Sequence, residues 1–538
     1  MQRKANNNMA DLSKKNLLIT RYITLLKNEF RGYGAQALVG DFVAGITVGA
    51  VALPLALAFG AASVSEEYAA VGVAAGLITA IVAGIVSGLL GGGSFQISGP
   101  TGAMTVILGG IVSGKYGLSG MFLACFLAGA MLLVAGLCRA GRLIRFIPRP
   151  VVVGFTSGIA VVIALGQLGN FFGVTLVGET TLDKVVCFFT DARADINLYA
   201  VLFSVLAVLV MALYPKKAAR FIPGSLAAII AVTLLGVFWN PGVRTIGQIP
   251  SSLVNTVKLE FAAVTPEMLR DVAGSAVTVA LLGMVESLLC GTCAAAMKKE
   301  PFDSDVELVA QGIGNMVIPF FGGVPSTAAI ARTSVAVKSG GRTRLTAVFQ
   351  SLFLIACVFV LSGAIGRVPY AALAGVLAVT AFRMNDWATI RTYFGSRHLS
   401  AILQFSVTCV ATVLLDLTYA ILIGVGLAFV LLLCDLCRAT VDAEKVDGTV
   451  TFRLCGNCYF AFADTLRAAV DAHRADAAAF VFDFSGVSYA DLTVAGAVCE
   501  LVLQLRDAGA TVTCVGMSEK VRRAFAHAHA DGILPAGK

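Results

Sequence analysis

Two breaks in otherwise apolar stretches contain residues that could bind an anion. The first is Gly99-Pro100-Thr101-Gly102 and the second is Pro325-Ser326-Thr327-Ala328-Ala329. In each, a proline stands beside a hydroxyl residue and before a short apolar run, which predicts a Gly-rich turn followed by a helix that begins at the proline. Unpaired N–H groups and the positive end of the dipole at a helix start attract anions. The candidate binding residues are Thr101, Gly102, Ser326, Thr327 and Ala328.

Two charged residues lie in the same apolar surroundings. Arg332 follows the second break, and Glu286 sits in the middle of the apolar run Leu281–Leu289. A charge within a membrane span is costly and usually functional, so we expect Arg332 to act in the anion site. The alternative is an arginine whose head group reaches the membrane surface. Glu286 either neutralises Arg332 in the empty site or carries a proton with the substrate, the alternative being a structural carboxyl group.

The elements that must position these residues are membrane-spanning helices. The chain is 58% hydrophobic and 13% charged, with a mean hydropathy of +0.86. Soluble proteins are about 25% charged, so this composition predicts a polytopic α-helical membrane protein. We predict about fourteen spans from the apolar stretches. They lie near 41–60, 68–90, 100–114, 117–138, 150–170, 197–214, 222–239, 271–294, 304–320, 326–338, 345–363, 370–384, 399–415 and 417–437.

The order of the spans predicts an internal repeat. The two breaks fall in the third and the tenth spans, which are unusually short. A repeat of seven spans must invert its topology, and paired interruptions of this kind mark the substrate site of secondary transporters. We therefore expect inverted repeats over about 41–239 and 271–437, within a transporter domain of residues 41–437.

The distribution of basic residues predicts the orientation. Residues 1–40 are polar and basic, and the loops expected on the same side carry residues such as Arg139, Arg142, Lys298 and Lys299. The positive-inside rule then places both termini in the cytoplasm and the protein in the cytoplasmic membrane. No cleavable signal peptide is expected. The net charge of +8 thus reflects topology and not nucleic-acid binding.

Residues 438–538 are expected to form a small cytoplasmic α/β domain. Strand-like runs at 448–455, 479–484 and 511–515 alternate with helical runs at 460–473, 494–508 and 518–529. Cys434, Cys437, Cys455 and Cys458 have a zinc-ribbon spacing. The first pair ends an apolar helix and lacks the turn that a zinc knuckle needs, so no structural metal is predicted.

Several segments together resemble the SulP family, which includes sulfate permeases, bicarbonate transporters and pendrin- or prestin-like exchangers. The segments that carry the resemblance are 40–48 and 52–59 in the first span, 96–101 in the third, and 311–315, 322–333 and 339–343 in and after the ninth and tenth. The C-terminal domain is similar to a STAS domain, on the turn Asp483-Phe484-Ser485-Gly486-Val487 and the following Asp491-Leu492-Thr493.

The resemblance implies a fold and a mechanism. It implies a seven-plus-seven inverted repeat with a core domain of spans one to four and eight to eleven, which moves past a gate domain like an elevator. It implies an anion site between spans three and ten, lined by Pro54 and Leu55 of span one, and a homodimer. In sodium-coupled bicarbonate members the position of Arg332 is not basic and that of Glu286 is Asp. We therefore expect sodium-independent transport, with Glu286 as the coupling residue.

The sequence thus predicts secondary active transport of a small inorganic or carboxylate anion, of the sulfate, bicarbonate, chloride or dicarboxylate class. Whether transport is proton-coupled or exchanging stays open. Leu55, where many members have Gln, and a missing Tyr run in span two weaken a direct assignment to sulfate. The alternatives are an anion channel and a nucleobase-type permease of the same fold. We predict no enzyme and no cofactor, because the four histidines all lie outside the spans and no nucleophile constellation occurs.

Overall fold

The computed structural model describes residues 18–64, 66–142, 148–176, 181–190, 195–215, 218, 222–239, 242–247, 253–415, 417–436, 438–474 and 478–527. The chain divides into two compact units, one up to Val425 and one from Gly426 onward. This division falls within a helix, and the predicted domain limits at 40/41 and 437/438 stay predictions.

The first unit is built from helices. In chain order the helices are α1 (Leu18–Glu29), α2 (Ala35–Ala62), α3 (Ala69–Leu90), α4 (Gly102–Val112), α5 (Gly117–Leu137), α6 (Arg149–Gly166), α7 (Leu168–Phe172), α8 (Thr181–Thr190), α9 (Leu198–Leu213), α10 (Gly224–Trp239), α11 (Pro266–Lys298), α12 (Ser304–Val317), α13 (Ile330–Lys338), α14 (Leu345–Ile365), α15 (Tyr370–Met384), α16 (Trp387–Gly395), α17 (Leu399–Leu414) and α18 (Leu417–Leu436). Each of the fourteen predicted spans overlaps at least one of these helices.

The helices are apolar enough for a membrane. Among the described residues, six helical segments are long and apolar enough to cross a bilayer by length and composition, and the remaining apolar helices are shorter. The amphipathic helix α1 precedes the first span, and its Leu25 and Arg21 are buried. This polytopic α-helical architecture agrees with the predicted fold class.

Two groups of helices pack mainly among themselves. One, the core group, comprises α2–α5 and α11–α14, and the other, the gate group, comprises α6, α9, α10, α15 and α17. Within the core group α5 lies close against α12, because glycines face each other at the crossing. A Cβ atom on Gly312 would lie 2.5 Å from the backbone nitrogen of Leu133 and 2.8 Å from the carbonyl oxygen of Gly129.

Two short strands pair with each other among the helices of the core group. β1 (Ser98–Gly99) precedes α4, and β2 (Thr327–Ala328) precedes α13. They pair antiparallel, with Ser98 opposite Ala328 and Gly99 opposite Thr327. The prediction that the second short helix begins at Pro325 is wrong, because Thr327 and Ala328 are extended and pair with β1. The helix starts only at Ile330.

The second unit contains a four-stranded mixed sheet. Its strands, in spatial order, are β3 (Ala439–Val446), β4 (Thr449–Cys458), β5 (Ala479–Ala490) and β6 (Thr511–Val515), and its helices are α19 (Phe462–His473), α20 (Leu492–Asp507) and α21 (Glu519–His527). β4, β5 and β6 are parallel, and β3 pairs antiparallel with β4. Phe452, Phe480 and Phe482 fill its core.

The four cysteines of the zinc-ribbon pattern do not fall in one element. Cys455 and Cys458 lie in β4 and Cys434 lies in α18, whereas Cys437 is outside the described residues. Within the described part of the chain, no group of three or more His, Cys, Asp or Glu residues could hold a metal ion.

Candidate functional site

The pairing of β1 with β2 brings the two sequence breaks together. Gly99 and Thr327 are register partners in this antiparallel pair. The chain therefore leaves the pair at opposite ends, toward Thr101 from β1 and toward the start of α13 from β2. The hydroxyl oxygens of Thr101 and Thr327 are 3.5 Å apart, although 226 positions separate them in the chain. Both threonines are buried.

Glu286 of α11 links the two threonines. The Thr101 hydroxyl donates to Glu286 Oε2 at 2.8 Å, and the Thr327 hydroxyl donates to the same oxygen at 2.7 Å. The next residue, Ser287, accepts the backbone N–H of Ala328 at 3.1 Å. α11 is therefore attached to β2 at two successive positions, and its carboxylate contacts both halves of the repeat.

Arg332 of α13 lies against Gly99 and Pro100. Its side chain is 1% exposed, and Nη2 donates to the carbonyl oxygen of Pro100 at 2.7 Å. Nη1 is buried, and none of the described residues forms a hydrogen bond with it. Among the described residues, no hydrogen bond or ion pair joins Glu286 to Arg332, and each has other partners. The expected neutralisation of Arg332 by Glu286 can act here only through space.

Both short helices begin without a side-chain cap. The N-cap residues are Thr101 for α4 and Ala329 for α13, and neither side chain accepts a hydrogen bond from the first turn. The first N–H groups of such a helix have no partner within the helix, and they carry partial positive charge. These N–H groups and the guanidinium group of Arg332 are donors of the kind that bind small anions.

The other predicted residues occupy different surroundings. Ser326 is fully buried, and its N–H donates to Asn315 Oδ1 at 2.8 Å, while the N–H of Ala328 is bound to Ser287. These two residues therefore hold β2 in place, and their N–H groups are already paired. Gly102 is the first residue of α4.

Pro54 and Leu55 are buried in the second half of α2. Leu55 belongs to the same apolar cluster as Met104 of α4 and Phe59, one helical turn further along α2. A Cβ atom on Gly102 would lie 3.0 Å from the ring of Phe59 and 2.3 Å from Ile163 of α6. The start of α4 thus contacts span one and the gate group.

Two family models match this chain. The model of the sulfate permease family matches residues 38–410, and the STAS domain model matches residues 440–536. The chain belongs to the sulfate permease family. Its members are transporters and not enzymes, and the C-terminal unit is a STAS domain.

Relatives in this family carry transport names. The chain is 32% identical over 461 residues to the "Putative sulfate transporter YvdB" of Bacillus subtilis, covering 82% of this chain and 84% of that protein. It is 27% identical over 522 residues to the "Bicarbonate transporter BicA" of a Picosynechococcus species, covering 90% of this chain and 89% of BicA.

Solved structures share the fold. Murine Slc26a9, an anion transporter in the inward-facing state, superposes with a TM-score of 0.78 at 18% identity, covering 96% of this chain and 92% of that one. The transmembrane domain of BicA gives a TM-score of 0.63 at 27% identity, covering 72% of this chain and 98% of that one. The first of these likenesses supports the fold alone.

The residues that hold the two strands of this sulfate permease family member in place were not predicted from the sequence. Gln311 Nε2 donates to Ser98 Oγ at 2.7 Å and to Glu307 Oε1 at 2.8 Å, and Asn315 Nδ2 donates to the carbonyl oxygen of Ser326 at 3.0 Å. Glu307, Gln311 and Asn315 recur every four residues, which places them on one face of a helix. That spacing of polar residues in an apolar span was a signal that could have found them.

Proposed function

We propose that this chain is a secondary active transporter of a small inorganic or carboxylate anion. The anion would bind where the uncapped starts of α4 and α13 meet, beside Thr101, Thr327 and Arg332. The observation that carries this proposal is the β1–β2 pairing, which joins two helix starts and a buried guanidinium group in one place. Relatives named as sulfate and bicarbonate transporters support an anion as the substrate class.

Transport is proposed to be independent of sodium. A fixed guanidinium charge near the site repels a bound cation. By Coulomb's law, the repulsion between two such charges a few ångströms apart in a protein interior is on the order of several kcal/mol. Glu286 is the coupling residue in this proposal, since its carboxylate contacts both threonines of the site. Proton symport and anion exchange are both consistent with a titratable carboxyl group there.

The motion is proposed to be of the elevator type, with the core group carrying the site past the gate group. The site residues lie on α4, α11, α13 and the two strands, all within the core group, which packs mainly with itself. We further propose a location in the cytoplasmic membrane, with both termini and the STAS domain in the cytoplasm, and a homodimer. The positive-inside distribution of Lys and Arg supports this orientation.

Binding isotherms on the purified protein test the substrate class. Sulfate, bicarbonate, chloride and succinate are titrated separately, with uracil as a neutral ligand. We expect saturable binding of at least one anion and none of uracil. Arg332→Gln should weaken anion binding about tenfold or more, because a desolvated charge–anion contact is lost. Lys338→Gln, at the exposed end of the same helix, is the matched control and should bind as the wild type does.

The outcomes separate the competing functions. Binding of uracil without any anion would replace the proposal by a nucleobase-type permease. Uptake of the bound anion into proteoliposomes then tests coupling to sodium. We expect the same initial rate with sodium or with N-methylglucamine outside, and an absolute requirement for a sodium gradient would contradict sodium independence. Flux that rises linearly with concentration and shows no saturation would indicate an anion channel.

A further inference from the structure

We infer that Thr101 and Thr327 form a hydroxyl switch that makes the binding of an anion and the binding of a proton to Glu286 depend on each other. The inference rests on the proposed function, because it concerns the same anion site. Through the two threonines, the protonation state of Glu286 changes the hydrogen-bond donors that the anion meets.

The two threonine hydroxyl groups have only a few hydrogens to donate. Each threonine hydroxyl group has one hydrogen to donate. For both hydroxyl groups the shortest contact is with a single acceptor, Glu286 Oε2, at 2.8 and 2.7 Å. The other acceptors near Thr327, the Thr101 hydroxyl and the Ala328 carbonyl oxygen, are farther away at 3.5 and 3.4 Å. While Glu286 is ionised, neither hydroxyl group is available as a donor to an anion. An anion between the helix starts would instead meet the oxygen lone pairs of the two threonines, which repel it.

Protonation of Glu286 reverses this arrangement. A proton taken from solvent water or buffer and placed on Oε2 removes the negative charge that holds the two hydroxyl groups, and turns that oxygen from an acceptor of two hydrogen bonds into a donor. At least one threonine must then release its hydrogen. Thr101 is the N-cap of α4 and Thr327 lies three residues before the start of α13, so a released hydroxyl group can donate to an anion there.

Few other titratable groups face Glu286. On the elements that pack against this part of α11, Arg332 of α13 is the charged group that acts on the carboxylate, and α4 carries no titratable side chain. α5 contributes Cys125, α11 itself has Cys290 one turn further on, and α12 has Glu307, which is bound to Gln311 and to the N–H of Gly92. The two threonines are thus the direct partners through which the charge of Glu286 reaches the anion site.

Reciprocity fixes the sign of the effect. If an anion binds better to the protonated carboxyl group, anion binding must also favour protonation by the same factor. Binding therefore takes up a proton, and the anion affinity rises as the pH falls. Where one proton is taken up per anion, the dissociation constant changes by about tenfold per pH unit.

The test measures the dissociation constant of one anion, sulfate or the best-binding anion of the panel, across about pH 5.5 to about 8.5. Wild type should show a slope approaching tenfold per unit, and Glu286→Gln should show none. Thr101→Val with Thr327→Val should bind more weakly and with a nearly flat pH profile. Thr101→Ser with Thr327→Ser keeps both hydroxyl groups and should restore the slope. The matched control is Thr105→Val, one turn along α4, whose hydroxyl group donates to its own helix at Gly102.

The outcomes distinguish this inference from the proposed function. A wild type that binds no anion at any pH overturns both. A wild type that binds an anion without pH dependence, or a double valine variant that keeps the wild-type slope, overturns the hydroxyl switch and leaves anion transport standing. If the double variant does not fold, each single valine variant is measured, with proton uptake read by an indicator dye in weak buffer. A single variant that still takes up one proton per anion, as the wild type should, contradicts the inference.

Discussion

Thr101 and Thr327 donate hydrogen bonds to the same carboxylate oxygen, with their own oxygens 3.5 Å apart and 226 positions between them in sequence. One threonine belongs to each half of the repeat, and Glu286 is contributed by the second half alone. The two threonines therefore share one hydrogen-bond acceptor, Glu286 Oε2. A displacement of either strand therefore changes the surroundings of the Glu286 carboxyl group.

Gly99 leaves room for the guanidinium group of Arg332. A Cβ atom at position 99 would lie 2.5 Å from Arg332 Nη1, and the φ of +157° is unusual for a residue with a side chain. Gly99→Ala should displace the guanidinium group and weaken anion binding by about tenfold, a loss of about 1.4 kcal/mol. Isothermal titration at fixed pH measures this change.

The matched control for this change lies on the helix that follows. A Cβ atom on Gly109 of α4 would meet nothing within 4 Å, so Gly109→Ala should bind the anion with wild-type affinity. If Gly99→Ala also keeps wild-type affinity, the position of Arg332 does not matter for binding.

Asn315 holds the strand that carries Thr327. It is 2% exposed, accepts the N–H of Ser326 at 2.8 Å and donates to the carbonyl oxygen of the same residue at 3.0 Å. Asn315→Leu leaves two buried backbone groups without partners, at about 1–3 kcal/mol each. We expect a lower melting temperature in detergent and loss of anion binding even where the variant is folded. Asn170→Leu, in a partly buried position of α7, should change neither.

A buried ion pair fixes the N-terminal helix to the membrane unit. Glu29 and Arg344 have side-chain exposures of 5% and 2%, and Arg344 Nη2 lies 2.8 Å from Glu29 Oε2. Removing one partner of such a pair costs about 3–5 kcal/mol, because the other charge stays buried. Glu29→Leu should lower the free energy of unfolding by this amount in mixed detergent micelles.

An exposed ion pair provides the comparison. Glu519 and Arg523 of α21 form a pair at the surface of the STAS domain, with exposures of 79% and 72%. Solvent screens such a pair, so Glu519→Leu should leave the unfolding curve unchanged. Equal effects of the two substitutions would mean that α1 is not held by the buried pair.

Thiol reactivity probes the packing of the STAS domain. Burial raises the pKa of the Cys458 thiol to about 11, and it raises the pKa of the Cys514 thiol to about 11 as well. The thiolate is the reactive form, so both should resist N-ethylmaleimide near pH 7 and react faster as the pH approaches 11. Cys455 is only half-buried and should be modified before Cys458 and Cys514. Peptide mass mapping follows the order, and labelling of Cys458 before Cys455 would contradict this packing of β4.

Sequence reasoning predicted the apolar spans and the pairing of the two breaks, because hydrophobic length and the spacing of proline and glycine are local properties. It did not predict that β1 and β2 form a ladder, since Ser98–Gly99 and Thr327–Ala328 are too short to carry a period-two pattern. The late start of α13 follows from that long-range pairing.

The same reasoning placed Glu286 near the site but paired it with Arg332 by charge alone. In the structure the carboxylate is held by two neutral hydroxyl groups, and Arg332 by a carbonyl oxygen. The fold thus determines the hydrogen-bond partners of these two charged groups, and formal charge alone does not predict them. The strand β3 was missed because Asp442, Glu444 and Lys445 give it a polar sequence, as is common for an exposed edge strand.

The most direct test of the central claim is solute counterflow. Proteoliposomes are loaded with an excess of unlabelled anion and diluted into the same labelled anion, for sulfate, bicarbonate, chloride and succinate in turn. The account predicts transient accumulation of label above equilibrium for at least one anion, and its loss in Arg332→Gln with Lys338→Gln unaffected. Entry of no tested anion above the rate of protein-free liposomes, or entry without any overshoot, would contradict transport of a small anion by this site.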